Sequence, residues 1–311
     1  MYDTIIIGAG PAGMSAAVYG MRAGLNLLLI EKNPVAGGQI INTYEVDNYL
    51  GLPGINGFDM ATQFKEHVDK LGAETVTADV TSLTRVSEGD GHTAPVFKVS
   101  TSAGDYETRT VILATGASHA LLNVPGETQL SGRGVSYCAT CDGAFFRNRV
   151  TCVVGGGDVA VEDAIFLSRF CEKVYLIHRR DELRAVKALQ DELFANDKIE
   201  VLWDSIVTEI KGTEAVEYAT VENVKTGETR KLETAAVFVA VGIVPDTGLA
   251  KDLVSINNGG YIEADESCQT SMPGIYVAGD ARAKRLRQIA TAVADGANAI
   301  TSIGDFLNTH K

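Results

Sequence analysis

Five cysteines occur among the 311 residues, and only Cys138 and Cys141 stand in a C-x-x-C. That spacing permits a disulfide that exchanges readily and can lower the pKa of one thiol. A zinc site needs a second such pair or nearby histidines, but the five His are scattered. A purely structural disulfide is out of place in a reducing compartment. The pair is therefore read as a redox-active dithiol, with the adjacent Asp142 able to deliver or accept a proton during exchange. Cys152, Cys171 and Cys268 are read as small apolar packing residues.

Two glycine turns carry the second chemical signal. Gly8-Ala9-Gly10-Pro11-Ala12-Gly13 matches G-x-G-x-x-G, follows a β-branched run over 2–7 with almost no charge, and opens a small-residue helix over 14–23. A second apolar run over 25–30 ends at Glu31, about 21 residues after Gly10. Such a turn lets backbone amides and a helix N-terminus approach a pyrophosphate, while the acid takes a ribose hydroxyl. Gly155-Gly156-Gly157-Asp158-Val159-Ala160 repeats the pattern between a strand over 150–154 and a helix over 161–170. After the next strand, 174–177, the chain reads His178-Arg179-Arg180, with Arg184 one turn later, where the acid would sit. Arginine there accommodates a 2′-phosphate, so the second turn is expected to take NADP and the first an unphosphorylated ribose. The blander alternatives are a structural turn at Gly8–Gly13 and a solvated charge run at the arginines.

The elements that position these residues also come in duplicate. Each unit is followed by β-rich sequence, 96–101 with 106–113 and 215–224 with 230–241. Each stretch runs into a small turn, Ala114-Thr115-Gly116 or Val241-Gly242. In the tail, 261–268 reads as a short strand region. A strand over 274–278 leads into Gly279-Asp280, and a long helical stretch covers 288–307. Asp280 is placed to accept hydroxyl hydrogen bonds from a ribityl chain, and the helix start can face the electron-rich end of an isoalloxazine. The basic run Lys284, Arg285 and Arg287 could equally be a solvated face. The expected fold is α/β, with two Rossmann-like (three-layer ββα) nucleotide-binding domains, the first discontinuous. Residues 1–116 and 245–311 form an FAD-binding domain, and 117–244 form an NADPH-binding domain carrying the dithiol.

Composition narrows the function. Lys plus Arg is 27 and Asp plus Glu 40, a formal charge of −13, which argues against a nucleic-acid or anionic-lipid binder. The 45% hydrophobic content suits a globular chain, and 32 Gly are too many for turns alone. The apolar stretch 5–30 is broken by five Gly, Pro11 and Arg22, so no membrane span is expected. Asp3 sits where a signal peptide would be basic, and a cytoplasmic location is expected. His67, His92, His119 and His310 fit no ligand or triad spacing, and Trp203 reads as core. No metal site is expected. A hydride donor, a disulfide and a second nucleotide site together need a two-electron carrier between nicotinamide and sulfur, which makes the cofactor at Glu31 FAD.

With these motifs assembled, the sequence resembles the low-molecular-weight thioredoxin reductases of the flavin disulfide-reductase superfamily. The resemblance covers nearly the whole chain. Besides the two turns it rests on Gly37-Gly38-Gln39, Val46-Asp47-Asn48-Tyr49, Ala114-Thr115-Gly116 and Gly132-Arg133-Gly134-Val135-Ser136. It extends through Cys138–Gly143, His178-Arg179-Arg180 with Arg184, and Gly279-Asp280 with Arg287-Gln288. It implies FAD contacts from Gly8, Gly10, Pro11, Ala12, Gly13, Glu31, Gly38, Gln39, Asn48, Thr115, Gly116, Gly279, Asp280, Arg287, Gln288 and Ile289. It implies NADPH contacts from Gly155, Gly157, Asp158, Val159, Ala160, His178, Arg179, Arg180, Arg184, Gly242 and Ile243.

The resemblance further implies that Cys141 lies nearer the flavin, Cys138 attacks the disulfide of thioredoxin and Asp142 is the acid/base. Arg133 and Phe145-Phe146 match thioredoxin-docking positions. A homodimer is implied, as is a rotation of the NADPH domain about crossings near Ala117 and Val244. Leu50-Gly51 departs from an expected Pro-Gly, and Ala144 replaces a usual aromatic. Three rivals are a ferredoxin-dependent flavin reductase, the reductase part of a peroxide-reducing system and a flavin-based redox sensor. The first should lack the arginines, the second should carry an extra N-terminal dithiol module, and the third should turn over no disulfide.

Overall fold

A computed structural model describes residues 1–43, 46–89 and 93–310, so His92 lies outside the described residues. The chain divides into two compact units. The first comprises residues 1–42, 49–118 and 244–311, and the second 43–48 and 119–243.

The first unit is built on a parallel sheet in the order Glu74–Thr77, Leu27–Glu31, Tyr2–Ile7, Gly104–Leu113. Ile275–Val277 pairs in parallel with the last residues of Gly104–Leu113, so the tail contributes a core strand. Residues 5–7 and 27–30 are continuous apolar runs because both faces of the sheet are covered. Ile6, Leu29 and Ile112 pack against helices Pro11–Arg22 and Ile289–Thr309. Ile5, Ile7, Leu28 and Ile30 pack on the other face with Leu83, Phe97 and Val99 of the antiparallel strands Val80–Ser87 and Val96–Thr101. Small residues let the two helices approach closely: a Cβ on Gly296 would fall 2.2 Å from the Ala12 carbonyl oxygen.

The second unit repeats the three layers. Its parallel sheet runs Ile199–Leu202, Lys173–Ile177, Val150–Val154, Ala236–Val239, Val135–Ser136. Val153, Leu176 and Phe238 face helix Asp158–Ser168. Cys152, Val154, Ile177 and Val237 face the antiparallel strands Ser205–Lys211, Tyr218–Asn223 and Thr229–Glu233. Both units are thus three-layer ββα Rossmann-like folds. Strands Ala117–His119 and Ile243–Pro245, which carry the two chain crossings, pair as a two-stranded ribbon.

Two local expectations shift. The region 261–268 forms no strand. Ile262 makes single bridges to Ile256 and Arg282, because its partners are irregular backbone and Cys268 turns at φ 62°. Helix Pro11–Arg22 begins three residues before the predicted 14–23, since Pro11 at its first turn has no N–H to leave unsatisfied. Cys152, Cys171 and Cys268 are free and buried, and Trp203 packs against the second unit's helix-side core.

Candidate active site

The dithiol sits at the end of an edge strand. Val135–Ser136 pairs in parallel with Ala236–Val239, and the chain then passes Tyr137 into the four-residue helix Ala139–Asp142. Cys138 is the extended residue that opens this helix, its carbonyl accepting the amides of Cys141 and Asp142 at 3.2 and 3.1 Å. Cys138 and Cys141 form a disulfide. Asp142 Oδ2 accepts the Ser136 hydroxyl at 2.6 Å, and Ser136 Oγ accepts the Cys138 amide at 3.1 Å. Asp142 Oδ1 is buried with no hydrogen-bond partner. Burial pushes the Asp142 carboxyl above the usual range, and the Ser136 hydrogen bond opposes this. A cavity of about 260 Å³ opens beside Asp142, lined among others by Arg133, Phe145 and Phe146. Among the described residues no group of three or more His, Cys, Asp or Glu could hold a metal ion.

The first glycine turn is a tight crossing of backbone. A Cβ on Gly13 would fall 1.8 Å from the Gly8 carbonyl oxygen, and one on Gly8, at φ 104°, 2.4 Å from that of Ala114. Gly10 opens helix Pro11–Arg22 with no side-chain cap, which leaves the first-turn amides available. Glu31 is buried at the turn, with Oε2 accepting the Ala9 amide at 2.7 Å and Oε1 the Asn33 amide at 2.9 Å. Gly38 approaches Gly10, Gln39 Nε2 donates to the Ala117 carbonyl, and Thr115 Oγ1 donates to that of Asp246. Gly116 turns at φ 73°. Of the predicted flavin contacts, Asn48 falls in the segment 43–48 that groups with the second unit.

Gly279-Asp280 follows strand Ile275–Val277 and lies against Ala12 of the first helix. Gln288 and Thr291 form a capping box that starts helix Ile289–Thr309. Arg287 lies over the Tyr261 ring at 3.8 Å. Asp280 Oδ1 and Arg287 Nε are buried without hydrogen-bond partners, and burial raises the Asp280 pKa against the pull of Lys284 and Arg287.

Beneath this loop is a constellation that sequence reading missed. Asp295, 3% exposed, accepts Gly279 N–H at 3.0 Å, Arg282 Nη2 at 2.8 Å and Lys284 Nζ at 2.9 Å. Lys284 is therefore no solvated cation, whereas Arg285 is exposed. The available signal was an acid on the buried i, i+3, i+4 stripe of Ala292, Gly296, Ala299 and Ile303.

At the second turn, Gly155 approaches the Ala240 carbonyl, and the position of Gly157 is open. The arginine segment is clamped there by backbone: Arg184 N–H donates to the Gly156 carbonyl at 2.7 Å and Val186 N–H to Asp158 Oδ1 at 2.8 Å. Arg179, Arg180, Arg184 and Val159 are exposed. His178 is instead buried against Gly156, where a Cβ would fall 2.2 Å from its ring, and its Nε2 pairs with the Glu182 carbonyl at 3.0 Å. Burial, with help from Arg184 and Arg180, lowers its pKa, so the ring is a neutral support for the turn. Gly242 turns at φ 133° before Ile243, and its carbonyl accepts the Ala120 amide at 3.0 Å.

Two nucleotide-type turns on duplicated ββα units, with a C-x-x-C on the second, define a nucleotide-linked disulfide oxidoreductase. Residues 2–296 match the pyridine nucleotide-disulphide oxidoreductase family, and the chain belongs to it. It is 44% identical over 308 residues to the thioredoxin reductase of Bacillus subtilis, covering 99% of this chain and 95% of that protein. It is 46% identical over 298 residues to that of Listeria monocytogenes, covering 95% and 91%. The crystal structure of thioredoxin reductase from Streptococcus pyogenes superposes with a TM-score of 0.91 at 46% identity, covering 99% of this chain and 98% of that one. No helix among the described residues is long and apolar enough to cross a membrane.

Proposed function

We propose that this protein is a cytoplasmic, homodimeric NADPH-dependent thioredoxin-disulfide reductase that uses FAD. The observation that carries the reading is the Cys138–Cys141 disulfide with Asp142 beside it, on a chain with two nucleotide turns of different ribose chemistry. The first unit fits a flavin nucleotide. Its uncapped helix start suits a pyrophosphate, Glu31 a ribose, and Asp280 Oδ1 and Arg287 Nε, buried without hydrogen bonds, the polar parts of a ribityl-flavin, with Lys284 Nζ 3.8 Å from Asp280 Oδ1. The second fits NADPH, with Gly155, Gly157, Asp158, Val159 and Ala160 at the pyrophosphate and Arg179, Arg180 and Arg184 at the 2′-phosphate.

When bound, the flavin supplies two-electron transfer between nicotinamide and sulfur. The protein's own residues do the rest. In the reduced dithiol, the Cys138 thiolate attacks one sulfur of the thioredoxin disulfide, forming a mixed disulfide and expelling a thiolate that takes its proton from Asp142. The Cys141 thiolate then attacks Cys138 Sγ, releases the second thioredoxin sulfur and re-forms the Cys138–Cys141 bond. A rotation of the dithiol-bearing unit about the crossings near Ala117 and Val244 presents the dithiol alternately to flavin and to thioredoxin, with Arg133, Phe145 and Phe146 receiving the partner.

Anaerobic NADPH titration of the flavin-loaded protein, followed by thioredoxin and DTNB, tests this. Stoichiometric flavin bleaching, with turnover lost in Cys138→Ser, is the expected result. Bleaching by reduced ferredoxin but not by NADPH would overturn the assignment of donor.

A further inference from the structure

We propose that Ser136 is a positioning residue for the acid step, its hydroxyl holding the Asp142 carboxyl and the Cys138 backbone in one hydrogen-bonded chain. The inference rests on the proposed role of the dithiol and adds a residue outside the C-x-x-C-D motif. Ser136 is 5% exposed and ends the edge strand Val135–Ser136, so its position is fixed by ladder pairing with Ala236–Val239 rather than by the loop it serves. Its single hydroxyl proton goes to Asp142 Oδ2 at 2.6 Å, and its lone pair takes the Cys138 amide at 3.1 Å. Asp142 Oδ1 lies buried with no hydrogen-bond partner, so the Ser136 bond to Oδ2 is the side-chain hydrogen bond that holds this carboxyl.

The chemical consequence follows from direction. A hydroxyl that donates to a carboxylate favours the charged form, whereas burial favours the neutral acid. Burial and the Ser136 bond are the two influences on Asp142, and they oppose each other. Arg133 lines the adjoining cavity, and helix Asp158–Ser168, packed against this turn, carries Asp158, Glu162 and Asp163. The direction of the Asp142 shift is set by burial, with the Ser136 bond opposing it. Ser136 thus keeps the acid from holding its proton too tightly. The proton can then pass to a departing thioredoxin thiolate and be regained when the dithiol is next reduced. The Cys138 amide bond ties the attacking sulfur's backbone to the same oxygen, so acid and nucleophile keep one relative position.

Difference infrared spectroscopy of the flavin-loaded, oxidised protein tests this without turnover. The protonated carboxyl stretch of Asp142, identified by its loss in Asp142→Asn, is titrated in wild type, Ser136→Ala and Ser136→Thr. Ser136→Ala should raise the midpoint by about one pH unit, and Ser136→Thr, which keeps the hydroxyl, should leave it in place. The alkaline limb of thioredoxin reduction should move upward by the same amount, while flavin reduction by NADPH is unchanged. An unshifted midpoint in Ser136→Ala overturns the inference. Should that variant fail to hold flavin, Ser136→Gly must give the same shift, and an unchanged midpoint there overturns it equally. A shifted midpoint in a protein with no thioredoxin turnover would instead sink the proposed function and leave the Ser136 bond standing.

Discussion

The two units solve the same packing problem with different charges. In both, a buried strand enters a glycine turn, a helix leaves it, and the next strand ends where a ribose would lie. The first unit ends that strand in Glu31, buried and held by the Ala9 and Asn33 amides. The second ends it in exposed Arg179 and Arg180, with Arg184 anchored through its backbone to Gly156. An acid aimed at a neutral hydroxyl can be buried and pre-oriented by backbone donors. Guanidinium groups awaiting a phosphate dianion stay hydrated until it arrives. The buried acids differ too. Asp295 of the first unit is paired with Arg282 and Lys284, whereas Asp163 of the second, half-buried, makes no ion pair among the described residues, and burial with the nearby Glu162 pushes its pKa up to about 7.

The largest test of this comparison is steric. Gly13→Ala puts a methyl 1.8 Å from the Gly8 carbonyl and should cost more than about 4 kcal/mol, seen as loss of folded, flavin-retaining protein. The matching exchange in the second unit, Ala160→Gly, should cost only about 1 kcal/mol by denaturant titration. Next, Asp295→Asn strands two buried cations and should lower stability by about 3 kcal/mol and weaken flavin retention. A neutral result would mean that the ion cluster is not what holds Gly279.

Replacing Arg179, Arg180 and Arg184 together by Ala should raise KM for NADPH about 100-fold, close to 2.7 kcal/mol, and leave that for NADH nearly unchanged. Equal losses for both nucleotides would erase the charge contrast between the turns. The smallest effect concerns Asp163. Its folded pKa of about 7 lies above the unfolded 3.8, so the native state binds the extra proton between those values and stability falls as pH rises through that window. The full shift corresponds to about 4 kcal/mol, and partial exposure screens it, so Asp163→Asn should gain about 2 kcal/mol at pH 8 and nothing below pH 4, read as Tm against pH.

Much of this was legible in the order of residues. The two turns, the dithiol and the repeat of strand, turn, helix and strand depend on short-range rules. Glycine is required where backbone crosses backbone, and apolar runs mark strands covered on both faces. Long-range partners were not legible. Lys284 reads as part of a solvated basic run until helix Ile289–Thr309 brings Asp295 beneath it. His178 reads as an NADPH contact beside two arginines until its ring is seen packed on Gly156. Ser136 reads as the last residue of a motif with no role of its own until the fold brings its hydroxyl to Asp142.

By itself, then, the sequence determined which chemistry the chain can carry, because a C-x-x-C, a pyrophosphate turn and a ribose acid are each set by spacing along the backbone. Only the tertiary structure decided which charges are buried, which are paired and which side chain holds the Asp142 carboxyl beside the dithiol. Burial and pairing join residues far apart in the chain, such as Arg282 with Asp295 and Ala9 with Glu31, and the strength of a charge depends on what surrounds it.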